Sequence, residues 1–180
     1  MKPRAFAALF VVGAVTLTLL DSIHVHTRTL VYAHPFAFGS AWWVPLLMGS
    51  AASLGGLAYV EGWKRFGGPA KLPSGASLAR ALLAFAMLYA ASGLLPATAK
   101  SKLVVLAVGA VVIFREVDGT MAGAKLVAIG VLVGPFAEAV NPGFHYVEPD
   151  FCRIPIWLPA LYACATPALG QLARRLGAVA

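Results

Sequence analysis

The residues of this 180-residue chain that stand near or within long apolar runs and have the functional groups for catalysis are two acids, two histidines and two cysteines. A membrane enzyme that works on lipids generally needs paired carboxylates, a nucleophile with its base, or a metal cluster. Asp21 and Glu138 are the acids placed to be buried, and neither has a second carboxylate one helical turn away. His24 and His26 are two residues apart, which puts them on different faces of a helix. They read as interfacial histidines in a loop rather than as a metal site. Cys152 and Cys164 fall at and within the last apolar run, about three turns apart on one helix, too far to bridge each other. There is no Gly-rich phosphate loop, HExxH pattern or activated-serine motif. The expectation is a protein that is not an enzyme and uses no cofactor and no metal.

Glu138 carries a second reading. An ionisable residue inside an apolar run marks a pathway or a ligand contact by default. Glu138 lies one turn from the expected end of its helix, just before Asn141 and Pro142, so a water-facing boundary position accounts for it equally. Two rivals to a binding protein therefore stay open. One is a small transporter or channel that uses Glu138. The other is a lipid-modifying enzyme that depends on Asp21 or Glu138.

The elements that must position these residues are membrane helices. The chain is 60% hydrophobic and 12% charged, with a mean hydropathy of +0.82, whereas soluble domains carry roughly 45–50% apolar and about 25% charged residues. A helix crosses a hydrocarbon core of roughly 30 Å with about 20 apolar residues. Apolar runs at about 5–23, 40–60, 77–95, 102–114, 121–140 and 153–173 predict one all-α transmembrane domain over residues 1–180, a bundle of six spanning helices. Lys2 and Arg4 before the first run mimic a signal peptide, but no small-x-small cleavage site follows promptly, so the run is kept as a helix.

Six crossings divide the basic residues unevenly. Lys2, Arg4, Lys64, Arg65, Lys71, Arg80, Arg115, Lys125, Arg174 and Arg175 fall on one side, and Arg28, Lys100, Lys102 and Arg153 on the other. Ten against four predicts that both termini are cytoplasmic. The net charge of +7 is thus spread through loops and forms no patch with interleaved aromatics, which excludes a nucleic-acid partner. Trp42, Trp43 and Trp157 open the second and sixth runs, each closely followed by proline, as interfacial anchors do where a helix begins. Gly49, Gly55, Gly56, Gly123 and Gly130 lie within runs and allow close helix approach, consistent with a homo-oligomer.

Two blocks of residues carry a family resemblance. The first is Ser40-Ala41-Trp42-Trp43-Val44-Pro45 with Gly49, Ala51, Gly56 and Tyr59. The second is Asn141 and Tyr146, then Pro149-Asp150-Phe151, Trp157-Leu158-Pro159, Gly170, Arg174 and Leu176. In this order they resemble the Insig (insulin-induced gene) family, and the likeness spans most of the chain. It implies a six-helix regulatory membrane protein that binds sterols and engages a membrane-protein partner.

The resemblance implies pocket residues at Phe85 and Ser92, with Tyr89 standing where the family has an amide and Trp42 and Trp43 nearby. It implies a partner interface at Arg115 and Asp118. There the family places an acid directly after a phenylalanine, and this chain has Arg115 after Phe114. The compact, Ala- and Gly-rich sequence is closer to a bacterial-type member. The expected ligand is a neutral amphipathic lipid, sterol or diacylglycerol-like. The expected location is the plasma membrane if the source is bacterial and the endoplasmic reticulum membrane if it is eukaryotic.

Overall fold

Helices begin in this chain where a side chain or a proline deals with the unpaired N–H groups of the first turn. Ser74, Thr98 and Thr120 each sit just before a helix, and their hydroxyl oxygens accept from the backbone N–H of Ser77, Ser101 and Gly123. Pro3 and Pro45 occupy first turns, where no N–H is needed. The computed structural model describes residues 1–179. Its helices among these are α1 (Pro3–His26), α2 (Val44–Arg65), α3 (Gly75–Leu94), α4 (Ala99–Val117), α5 (Met121–Val140) and α6 (Leu158–Val179). A short ribbon pairs β1 (Leu30–Tyr32) with β2 (Phe144–Tyr146) antiparallel, with Leu30 opposite Tyr146 and Tyr32 opposite Phe144.

The connections α3–α4 and α4–α5 are a few residues long, which forces neighbouring helices to run antiparallel. α6 lies at the centre and packs against each of the other five helices. Leu158, Leu161, Cys164, Ala168 and Ala173 along it are buried, as is Gln171. Residues near both ends of the chain, Lys2 and Gly177, border one cavity, so the two ends lie at the same end of the bundle. α1 widens into a π-turn at Gly13–Leu17 where it crosses α2. A Cβ on Gly13 would come within 2.8 Å of the Met48 carbonyl oxygen, so a glycine is required at this crossing.

Four helices, α1, α2, α3 and α5, are long and apolar enough to cross a membrane. α4 falls short because Lys100, Lys102, Arg115 and Glu116 occupy its two ends. α6 falls short because Gln171, Arg174 and Arg175 lower its hydropathy, and its place among the other helices spares it full contact with lipid.

Local expectations are corrected at three places. His24 and His26 are helical, because α1 continues until the Thr27 N–H bonds the Ile23 carbonyl, so they are not a loop pair. Residues 151–154 form a tight turn in which Cys152 and Arg153 take φ of 48° and 69°, so Cys152 does not share a helix with Cys164. Both cysteines are free, as their separation requires. The second helix starts at Val44 rather than 40, because Ser40 is folded back into a turn against Ala37.

The cap at α5 can be tested in isolation. Thr120→Ala removes the hydroxyl that receives the Gly123 N–H at 3.1 Å and donates to Asp118 Oδ1 at 2.6 Å. Loss of a threonine cap costs about 1 kcal/mol. A thermal melt in mild detergent should therefore shift down by a few degrees with the fold retained, and an unchanged melt would contradict this role.

Candidate functional site at the ribbon end of the bundle

The up-and-down path gathers the C-terminal ends of α1, α3 and α5 with the N-terminal ends of α2, α4 and α6. That end contains the buried polar groups Asp21, His24 and Ser92 together with Glu138. The ribbon closes over them. Strand alternation turns Leu30, Tyr32, Phe144 and Tyr146 inward and leaves Val31 and His145 outside. Two tyrosines thereby point from the ribbon into the bundle, and each meets a carboxylate. Tyr32 donates its hydroxyl to Asp21 Oδ2 at 2.7 Å. Tyr146 donates to Glu138 Oε2 at 2.6 Å, and Tyr162 of α6 donates to Glu138 Oε1 at 2.6 Å. Burial pushes the Tyr32 and Tyr146 phenols well above their ordinary range, and the neighbouring carboxylates push the same way, so both remain donors at any physiological pH.

His24 joins α1 to α3. Its Nε2 lies 2.9 Å from Ser92 Oγ, and that hydroxyl donates to the Tyr89 carbonyl oxygen at 2.7 Å. The single hydroxyl proton of Ser92 is therefore committed, so the imidazole carries its proton on Nε2 and donates it. The ring is flanked by Tyr89 at 4.9 Å and Trp157 at 5.8 Å. Trp157 also stands edge-on to Tyr146, which links the histidine pair to the Glu138 clamp.

Beside this chamber a slot opens between α3 and α4, lined by Leu88, Ala91, Ser92, Leu95, Val105 and Leu106, with Lys102 at its rim. Its volume is about 40 Å³, scarcely more than the roughly 30 Å³ that one water occupies in the liquid. The slot is a narrow seam here, and a guest as large as a lipid tail requires α3 and α4 to part.

The anticipated pocket residues do not all meet. Phe85, Tyr89 and Ser92 fall on one face of α3: Phe85 is buried and edge-on to Tyr89 at 5.9 Å, and Ser92 is buried against His24. Trp43 is half-buried, edge-on to Tyr32 at 5.5 Å, and so belongs to the chamber wall. Trp42 is 67% exposed on the outside of the bundle. Arg115 and Asp118 lie at the other end. Arg115 is exposed, whereas Asp118 accepts from the Tyr59 hydroxyl at 3.0 Å and from Thr120. Glu138, readable as a water-facing boundary residue, is instead clamped by two phenols. Sequence reasoning missed Tyr32 and Tyr162, and named Tyr146 only as a residue of the family resemblance. The inward and outward alternation of Leu30-Val31-Tyr32 and Phe144-His145-Tyr146 is seen in the structure, and three residues are too few for it to show as a pattern in the sequence. Among the described residues no group of histidines, cysteines and acids is placed to hold a metal ion.

No family model matches the sequence. The chain is 29% identical over 177 residues to the insulin-induced gene 1 protein of Gallus gallus, covering 93% of this chain and 70% of that protein. It is 27% identical over 181 residues to the Danio rerio protein of the same name, covering 96% and 72%. Among solved structures, the fold is that of MvINS, an Insig homologue from Mycobacterium vanbaalenii. The match has a TM-score of 0.83 at 20% identity and covers 97% of this chain and 94% of that one. A cross-linked MvINS trimer matches with a TM-score of 0.85 at 20% identity, covering 99% and 96%.

Proposed function

The chain resembles Insig proteins in sequence over most of its length and in fold over nearly all of it, and from that premise we propose that it is a non-catalytic regulatory membrane protein. In this reading it spans the membrane six times with both termini in the cytoplasm and takes up a neutral amphipathic lipid, a sterol or a diacylglycerol-like molecule. The lipid enters between α3 and α4.

One observation carries this reading: the apolar seam between α3 and α4 ends on Ser92, the hydroxyl that connects to His24 and the polar chamber. A lipid tail would lie against Leu88, Leu95, Val105 and Leu106, and its hydroxyl would reach Ser92. Tyr89, Phe85 and Trp43 wall the same region, and Trp42 marks the interface outside it. The chamber presents the carboxyl oxygens of Asp21 and Glu138 as hydrogen-bond acceptors, which suits a neutral headgroup that donates hydrogen bonds.

The proposal extends to partners. MvINS has been crystallised as a cross-linked trimer, and a homo-oligomer of this chain would cover part of its exposed apolar surface. Arg115, free on the surface, would face a membrane-protein partner, while Asp118 holds Tyr59 and Thr120 from within.

Native mass spectrometry of protein extracted in mild detergent tests the lipid site. The wild type should retain a neutral lipid, and Ser92→Phe should weaken saturable binding of sterol or diacylglycerol by about tenfold, near 1.4 kcal/mol. Absence of both retained lipid and saturable binding would sink the reading. Substrate flux in proteoliposomes that disappears in Glu138→Gln would favour transport instead.

A further inference from the structure

A second and larger cavity lies at the opposite end of the bundle, where most of the basic residues are gathered. It measures about 670 Å³, within the roughly 300–1,000 Å³ range of ligand pockets. The start of α1, the end of α2, the α2–α3 loop and the last turns of α6 border it, and it is open on one side. Its walls are mostly carbon: Val60, Leu72 and the Trp63 ring line it. Trp63 is held rigidly, its Nε1–H donating to the Pro69 carbonyl at 3.0 Å and its face lying 3.9 Å from the Arg174 guanidinium.

The rim is cationic. Lys2, Lys64 and Arg174 border the cavity. Arg174 spends its hydrogen bonds on neutral groups, Gln171 Oε1 at 2.7 Å and the Pro69 carbonyl at 2.8 Å, so its charge is left uncompensated by any carboxylate in contact. The acids nearby are two. Glu61 is exposed and accepts from Lys64 at 3.0 Å, and Asp118 is engaged by Tyr59 and Thr120. With the Met1 ammonium, which lines the cavity and lies 3.7 Å from Glu61 Oε1, four cations thus face one exposed carboxylate beside an apolar wall, the reverse of the acidic chamber at the ribbon end. A neutral lipid gains nothing from that rim, and a small inorganic anion gains nothing from the wall.

We propose that this cavity binds an anionic phospholipid, its phosphate held by Lys2, Lys64 and Arg174 and its proximal acyl segment lying against Val60, Leu72 and Trp63. Basic pockets at the cytoplasmic ends of membrane helices recognise lipid headgroups by this combination of charge and hydrocarbon. The site is separate from the α3–α4 seam, so a membrane protein with this architecture can hold two lipids of opposite character.

The test uses the full chain in nanodiscs of phosphatidylcholine with and without phosphatidylglycerol, with retained lipid counted by native mass spectrometry. The wild type should prefer phosphatidylglycerol over phosphatidylcholine by about tenfold at physiological salt and lose the preference near 1 M salt. The double variant Lys2→Gln with Lys64→Gln should lose most of the preference. Glu61→Gln, which removes the competing carboxylate, should strengthen it by about threefold. Equal retention of the two lipids by the wild type, or no change in either variant, overturns the proposal. Displacement of phosphatidylglycerol by millimolar inorganic phosphate would overturn the lipid assignment and leave a plain phosphate site.

Discussion

Glu138→Ala should destabilise the protein by about 3 kcal/mol, with the damage concentrated at the ribbon end. The carboxylate is the shared acceptor of two phenols, Tyr146 from β2 and Tyr162 from α6, both at 2.6 Å. Removing it leaves two donors without a partner in a part-buried region, and each buried unsatisfied group costs about 1–3 kcal/mol. Glu138→Gln gives the internal control. The amide oxygen can accept from one tyrosine and the amide N–H can donate to the oxygen of the other, so most of the stability should return. Tyr162→Phe alone should lie between the two variants, because it removes one donor and leaves the acceptor still engaged by Tyr146. Hydrogen exchange should show Phe144–Tyr146 and Leu30–Tyr32 opening together in Glu138→Ala, since the ribbon is docked through this carboxylate and through Asp21. A variant that melts like the wild type, with the ribbon still protected, would show that the clamp contributes nothing.

The helices were far easier to read than the groups that make the site. A run such as Met121–Val140 is apolar along its length, and a local window suffices to see it. Its caps are local as well, as with Thr120 ahead of Gly123. The face that Phe85, Tyr89 and Ser92 share on α3 follows from helical spacing alone. The chamber is different, because the bonds that assemble it join separate elements: His24 to Ser92 across 68 residues and Tyr162 to Glu138 across 24. Tyr32 and Tyr146 matter only through a ribbon of three-residue strands, too short for a periodic signal, and the pairing is decided by how α1 and α5 end side by side. Trp42 and Trp43 illustrate another limit. Both are large, apolar and suited to an interface, and nothing local says which one turns inward. The packing of Tyr32 selects Trp43. Helix ends are hard to place where polar residues look like loops. His24 stays helical because Ser92 on another helix satisfies its imidazole, and that partner cannot be seen from residues 21–27.

Gly170→Val should be as damaging as the loss of Glu138, and for the opposite reason: excess volume. Gly170 is buried on α6, and a Cβ there would run into the ring of Tyr59 on α2. A flexible neighbour would swing aside, but Tyr59 cannot. Its ring is stacked on Trp63 at 5.7 Å, its hydroxyl donates to Asp118 at 3.0 Å, and Gln171 donates to that hydroxyl's oxygen at 3.4 Å. Relief would require α2 and α6 to separate, or the Tyr59 network to break. Overpacking a tight core costs about 1–3 kcal/mol, and loss of the Asp118 bond places this variant at or beyond the upper end. Gly55→Ala on the same helix as Tyr59 is the matched comparison. A Cβ at Gly55 meets nothing within 4 Å, so replacing glycine inside a helix should raise stability by as much as about 1 kcal/mol. Thermal unfolding in detergent should therefore move in opposite directions for two glycines that look alike in sequence. Because Trp63 and Arg174 share the Tyr59 network, Gly170→Val should also loosen the wall of the basic cavity, and Gly55→Ala should leave it intact. A Gly170→Val protein with wild-type stability would mean that the α2–α6 contact is slack. The Tyr59 stack would then add nothing to the seat of Trp63, which would rest on Pro69 and Arg174 alone.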